Sequence, residues 1–557
     1  MIIDYLSGSH PAEMEADLCV IGAGAAGIAI AHSFIGSSIR VCLIESGGLA
    51  GEQRNQSLYE GDSVGEMPFD PGTSRMRVFG GSCNLWGGGC IPLGRQDMAA
   101  RDWVPHSGWP ISYDELEPYY ARARSYCRLD AIDFVDGSFT GPTPHPPIVF
   151  DEGRLVNQIF AKSPILFGDA YRQALEQAPN IDVLLHANLL ELEASANGNV
   201  VRQARIGSLG GHRGIVRARH YVLACGGIEN ARLLLLSRSV MPEGLGNQHD
   251  VVGRYFMDHP SGNLGTLTTD APHRVTRPYE RRHGKNQTPS FPEIGLSQHY
   301  QRRHRVLNGR VHPFGVEGPL PRGIRALREL RSALRRSVPD ENALLEARLS
   351  DALRNAPASE AVAVPSSLGL TALKLGLGMG DIVRAGLYKL TDRPTVASSH
   401  IELVGFFEQA PNPDSRITLS QETDALGQYK VCVDWQLTAL DRYTYRSAAT
   451  LFGNELARAS NGQFNLEPWL EDDANALPQV HGTAHHMGTT RMSDDPRKGV
   501  VDRNCKVHGM DNLHVAGSSV FPTGGWAFPT FTIVGLSLRL ADELRGLLTT
   551  CATSGLL

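Results

Sequence analysis

Asp17-Leu18-Cys19-Val20-Ile21-Gly22-Ala23-Gly24-Ala25-Ala26-Gly27 decides the fold. A short apolar run stops at a glycine, and the glycines follow G-x-G-x-x-G spacing. A helical pattern then runs from Ala25 to about Phe34, and a second apolar run, Val41-Cys42-Leu43-Ile44, ends at Glu45. This is a βαβ unit with an acid eighteen residues beyond Gly27, the arrangement that holds a dinucleotide. Gly22 permits the tight turn, Gly24 lets backbone approach a pyrophosphate, and Gly27 lets helix and strand pack closely. Ala25 and Ala26 open the helix, whose free N–H groups and dipole favour an anion. Glu45 is placed to accept hydrogen bonds from a ribose diol.

Farther along, Arg77-Val78-Phe79-Gly80-Gly81-Ser82-Cys83-Asn84-Leu85-Trp86-Gly87-Gly88-Gly89-Cys90 holds too many glycines for a regular helix. It reads as an extended loop pressed against something flat or charged. Gly81, Ser82, Asn84, Leu85, Gly87 and Gly88 are its candidate cofactor contacts. The strand His220–Ala224 runs into a second glycine turn and a helix over 231–237, which brings Ala224 to the cofactor's flank.

Length and composition suit a soluble enzyme of more than one lobe: 557 residues, 41% hydrophobic and 20% charged. A net charge of -6 gives no basic field for nucleic acid or an anionic membrane surface. No apolar run reaches the roughly 18 residues of a membrane span. The first residues lack a secretory pattern, so a cytoplasmic protein is expected, with export alongside a partner left open. Nine cysteines, an odd number spread over the chain, read as packing residues, with no zinc spacing and hence no metal. Cys19, Cys42 and Cys225 are expected in buried strands.

Residues 115–131 read as a helix begun by Ser112 or Asp114. The stretch 321–356 reads as a helix with a basic face from Arg322 to Arg336, solvated or docking an acidic partner. Residues 366–390 again look helical. Strand-like runs at 400–408, 416–419 and 430–435 point to an antiparallel sheet. The expected fold is α/β. A discontinuous cofactor domain takes 1–103, 181–265 and 481–557, and a substrate domain takes 104–180 and 266–480. Near the C-terminus, Leu513–Gly517 reads as a returning strand. A helix from Phe531 to about Leu547 could aim its N-terminus at the cofactor's ring.

Together the Gly22 fingerprint, the Gly80–Gly89 loop, the Ala224–Arg232 turn, Val252–Pro260 and the block from His485-His486-Met487-Gly488-Thr489 resemble the glucose–methanol–choline (GMC) flavoprotein oxidoreductases. The likeness spans nearly the whole chain and points to the bacterial branch of sugar and polyol dehydrogenases, with pyranose oxidases more distant. It implies bound FAD and a fold pairing an FAD-binding Rossmann-like domain with a sheet-based substrate domain. It adds Ser46, Gly517, Ser518, Pro529 and Thr530 as cofactor contacts. The activity implied is an alcohol dehydrogenase or oxidase acting on a CH–OH group of a sugar, polyol or glycoside-like substrate. Oxygen, a quinone or a protein would be the electron acceptor. In that pattern His485 is the base, and His486 stands at a variable position.

Two departures matter. Where the family has a histidine or asparagine before Pro529-Thr530, this chain has Phe528, which cannot hydrogen-bond an alcohol oxygen. His486, His259 or Asn84 could fill that gap, the substrate could present an apolar surface, or the chain could have turned to lyase or other non-oxidising tailoring chemistry. A subunit that binds or passes electrons without catalysis is a third reading. The loop position that bonds flavin covalently in some relatives is Leu85, so the resemblance implies FAD held non-covalently.

Overall fold

The computed structural model describes residues 1–7, 11–130, 145–280, 290–334, 378–390, 398–471 and 480–554. Its larger sheet has eight strands, ordered Ile2–Asp4, Ile181–Leu185, Val41–Ile44, Glu13–Ile21, Arg213–Leu223, Val201–Gly207 and Asn188–Ala194. Leu513–Val515 joins alongside the end of Arg213–Leu223. The first five strands and Leu513–Val515 pair in parallel, and the two after Arg213–Leu223 turn antiparallel. Val41–Ile44 is buried throughout, as is the Leu18–Ile21 end of its neighbour, which is why both read as unbroken apolar runs. The helix Ala25–Ser33 is buried from Ala25 to Ala31 and packs on the C-terminal helix Pro529–Ser554.

A second, wholly antiparallel sheet has seven strands, ordered Gln463–Leu466, Ser261–Thr268, Ser398–Phe407, Gly309–Glu317, Ser290–Leu296, Leu155–Lys162 and Gly89–Cys90. Ser398–Phe407 alternates buried and half-buried residues, the pattern of a sheet covered unequally on its two faces. A third sheet joins Arg416–Thr423, Tyr429–Trp435 and Gly61–Gly65.

These pairings correct the expected divisions. The boundary at 265/266 falls inside Ser261–Thr268, which belongs wholly to the antiparallel sheet. Gly89–Cys90 also joins that sheet, and Gly61–Gly65 pairs with Tyr429–Trp435, so the first 103 residues serve all three sheets. Cys225 caps the helix Gly226–Leu236 rather than lying in a strand. The helix expected at 115–131 spans Tyr113–Tyr126, because Ser112 accepts the Glu115 N–H and Glu115 answers the Ser112 N–H. Of the basic stretch, Arg322–Leu334 is helical and Arg328 pairs with Glu317 at 2.8 Å. Arg335 and Arg336 lie outside the described residues. The expectation over 366–390 meets the structure in the helix Met379–Leu390, with 366–377 outside it. Among the described residues no helix is long and apolar enough to cross a membrane.

Candidate functional site

A cavity of about 870 Å³ lies between the two larger sheets, within the roughly 300–1,000 Å³ of small-molecule and cofactor sites. On the parallel-sheet side it is lined by Gly22, Gly24, Ala25, Ala26, Glu45 and Ser46. Gly22 has φ +103°, and a Cβ there would sit 2.6 Å from the Ala224 carbonyl oxygen. Gly27 lies behind the lining, where its bare Cα lets the helix close to the Gly22 carbonyl; a Cβ would stand 1.8 Å from that oxygen. Glu45 accepts the Ala23 N–H at 2.9 Å and the Gly47 N–H at 2.8 Å. Burial pushes its carboxyl up, partly offset by those donors.

The glycine-rich loop folds over this turn: the Gly80 N–H donates to the Ala23 carbonyl at 2.8 Å. Gly81, Ser82, Leu85, Gly87 and Gly88 line the cavity. Asn84 does not. Its amide donates to the Phe79 carbonyl at 3.0 Å, so it braces its own loop. Ala224, Gly517, Ser518, Pro529 and Thr530 complete this side, with the start of Pro529–Ser554 opening onto the cavity.

The cavity's own surface tests whether a dinucleotide cofactor fits. A Cβ at Gly24, Gly87, Gly226 or Gly517 would meet nothing within 4 Å. These lining glycines therefore leave space for something other than protein. His486 also lines the cavity, and its buried Nε2 has no hydrogen-bond partner among the described residues. An orphaned donor or acceptor beside a glycine cradle fits a polar, elongated group.

Residues that the sequence reading passed over also border this cleft. Glu229 meets Arg75 at 3.0 Å, Arg77 at 3.4 Å and Arg232 at 2.7 Å, and Arg232 reaches Asp424 at 2.7 Å. Both Arg75 and Arg77 lie 4.0 Å over the Tyr59 ring. Burial raises the Glu229 carboxyl, but the three arginines overcome it and hold it at about 2. Arg77 flanks the quoted glycine loop and Glu229 follows Gly226-Gly227, so charges beside glycine turns were the available signal.

The opposite wall carries the histidines. Segments 257–261 and 481–487 run antiparallel, bridged at Met257–Met487 and Ser261–His481. That pairing sets Asp258 beneath residues 483–485. Its carboxylate accepts the backbone N–H of His259 (2.7 Å), His485 (2.8 Å) and Ala484 (3.0 Å), plus the Thr483 hydroxyl (3.2 Å). The loop bends sharply, with Ala484 at φ +59°, a conformation a non-glycine residue holds only under such restraint. Burial raises the Asp258 carboxyl to about 6 against these donors.

His485 lines the cavity, with Nδ1 2.7 Å from Thr483 Oγ1 and 3.2 Å from His259 Nδ1. Burial, then the neighbouring His259, Arg310 and His486, holds its imidazole well below the usual histidine range, so it is a neutral proton acceptor near pH 7. The His486 ring stacks on Phe69 and Phe256 at 5.5 and 5.7 Å.

Phe528 also lines the cavity, 5.3 Å from the His485 ring, 4.9 Å from Phe160 and 4.8 Å from the Arg310 guanidinium. Gly89 makes room for it, since a Cβ there would stand 2.4 Å from the ring. Arg310 is buried between Phe528 and Phe406 and pairs with Glu293 at 3.0 Å. Of the three polar side chains considered for the gap left by Phe528, only His259 reaches His485.

A cleft lined by the glycine fingerprint faces a histidine wall, an arrangement suited to an oxidoreductase. Comparisons with known proteins agree. Residues 411–537 match the GMC oxidoreductase family model. The 6'''-hydroxyparomomycin C oxidase of Streptomyces lividus is 24% identical over 95% of this chain and 91% of its own length. The fructose dehydrogenase large subunit of Gluconobacter japonicus is 23% identical over 95% and 98%. The crystal structure of pyridoxine 4-oxidase from Mesorbium loti superposes with a TM-score of 0.53 at 16% identity, covering 95% of this chain and 99% of its own, and shares the fold. Residues 411–537 thus carry the GMC oxidoreductase family model, and over nearly its whole length the chain is similar to oxidases and dehydrogenases.

Proposed function

We propose that this protein binds FAD non-covalently and removes hydride from a CH–OH carbon of a sugar, polyol or glycoside-like substrate, with His485 as the base. The observation that carries the proposal is one cavity lined by both the dinucleotide fingerprint and a neutral imidazole. Bound FAD supplies the hydride acceptor. Gly22, Gly24 and the start of Ala25–Ser33 offer backbone to its pyrophosphate, and Glu45 offers lone pairs to a ribose. The start of Pro529–Ser554 brings a positive dipole end to the cavity. His485 takes the hydroxyl proton as the carbon–hydrogen bond breaks. Phe291, Phe406 and Phe528 line the cavity and would exclude water from the reacting carbon. Leu85 presents no nucleophile, which supports a dissociable cofactor.

Anaerobic mixing with a panel of sugars, polyols and glycosides tests the reading. A substrate should bleach the blue-light absorbance of the flavin. His485→Ala should slow that bleaching by about 10²–10⁴-fold while keeping the yellow colour. Acid denaturation should release all pigment. Turnover without bleaching would make the protein a non-oxidising member of its family.

A further inference from the structure

We propose that His259 is a positioning residue that fixes the tautomer of His485, leaving the lone pair on His485 Nε2 for the substrate. Its meaning for catalysis rests on His485 being the base, but the hydrogen-bond chain stands by itself. The chain begins at a group that can only accept. The Gly525 carbonyl oxygen lies 2.9 Å from His259 Nε2, so that nitrogen carries the hydrogen. Burial, with the Arg310 charge adding to it, holds the His259 imidazole at about 4, so the ring is neutral near pH 7 and its Nδ1 bears a lone pair. That nitrogen lies 3.2 Å from His485 Nδ1, a contact that requires a hydrogen on His485 Nδ1.

Thr483 agrees with this assignment. Its Oγ1 lies 3.2 Å from Asp258 Oδ1 and 3.2 Å from the His259 carbonyl, both acceptors that can take the hydroxyl hydrogen. The oxygen's lone pair then faces His485 Nδ1–H at 2.7 Å. With Nδ1 shared between two acceptors, a neutral His485 has its lone pair on Nε2. When the hydroxyl proton arrives there, Nδ1–H keeps its partners and the Asp258 carboxylate lies in the same corner as the new positive charge. His259 touches no reacting atom. It acts through His485, as outer partners of imidazole ligands and bases do elsewhere.

Long-range ¹H–¹⁵N spectra of ¹⁵N-histidine-labelled holoenzyme, with His485 assigned by its loss in His485→Gln, read the ring nitrogens directly. The expected spectrum shows hydrogen on His485 Nδ1 and a bare Nε2. His259→Phe should let the opposite tautomer in, and His259→Asn, whose amide oxygen can stand where Nδ1 stood, should restore the original. The limiting rate of flavin bleaching should fall about tenfold in His259→Phe with KM unchanged, since Thr483 retains part of the roughly 10²–10⁴ a positioned base supplies. A hydrogen on Nε2 in the unmodified protein overturns the inference, as does an unaltered His485 signal in His259→Phe. Bleaching that survives His485→Ala would instead remove the proposed base and leave the tautomer assignment standing, so the two failures are distinguishable.

Discussion

The cofactor cleft and the wall facing it are built by opposite means. Around the fingerprint the cleft is made largely of backbone: glycines at 22, 24, 226 and 517, free N–H groups at two helix starts, and the Glu45 carboxylate at a strand end. The wall is made of side chains from segments far apart in the chain, such as Asp258 and His485, which are 227 residues apart. In the cleft, what matters is where a Cβ is missing. On the wall, each side chain depends on the next: Gly89 admits Phe528, Phe528 covers Arg310, and Asp258 shapes the loop that carries His485. Substitutions should therefore act locally in the cleft and propagate on the wall.

Gly24→Val gives the largest expected effect and attacks the contrast head on. Gly24 has φ -80°, which any residue can adopt, and a Cβ there meets nothing. The variant should fold with an unchanged circular dichroism spectrum and purify colourless, because the new side chain fills the cradle. Gly27→Ala should fail to fold instead, its Cβ driven into the Gly22 carbonyl. A yellow Gly24→Val protein would show that the cleft does not depend on bare backbone.

On the wall, Asp258→Ala removes the acceptor from three backbone N–H groups at once. Each buried donor left unpaired costs about 1–3 kcal/mol, and relief of the buried charge offsets part of it. A net loss of about 3 kcal/mol should appear in the urea midpoint. The cofactor should stay bound at saturating FAD, whereas flavin bleaching should slow, because the 483–485 loop no longer holds its bend. An unchanged midpoint would break the picture of a wall whose side chains set backbone.

This contrast also explains what the sequence disclosed. The fingerprint, Glu45 and the glycine loop form within short stretches, so spacing alone located them. His485 came from a family pattern, and Phe528 was visible as a departure from it. That Phe528 rests on Arg310, or that Asp258 and His259 brace His485, depends on the antiparallel pairing of 257–261 with 481–487, which no local pattern encodes. The helix Ala439–Ser460 escaped notice for a related reason. Its buried face mixes Asp441, Thr444 and Glu455 with Tyr445, Ala448, Phe452 and Leu456, which dilutes the apolar stripe. The boundary near 265 was misplaced because a strand of the second sheet follows directly from the histidine segment.

Acid offers the gentlest test, because two buried groups, His514 in the parallel sheet and Asp258 on the wall, answer it with opposite signs. In the parallel sheet His514 lies on Leu513–Val515, its ring 5.6 Å from His220. Burial, then the charges of His220 and Lys506, holds it at about 3. A histidine depressed in the folded state refuses a proton that the unfolded chain accepts below about 6.5. The stability it allows is full above that value and drains as pH falls, by about 2 kcal/mol at pH 5. On the wall, the depressed imidazoles of His259 and His485 drain stability likewise, but Asp258, raised to about 6, binds a proton in the folded state before the unfolded chain does and opposes them as pH drops from 6. His514→Gln should therefore flatten the fall in urea midpoint between pH 7 and pH 5 by about 2 kcal/mol. Asp258→Asn should steepen that fall by a smaller amount over the same range. If both variants shifted the slope in one direction, the opposite signs assigned to His514 and Asp258 would be wrong.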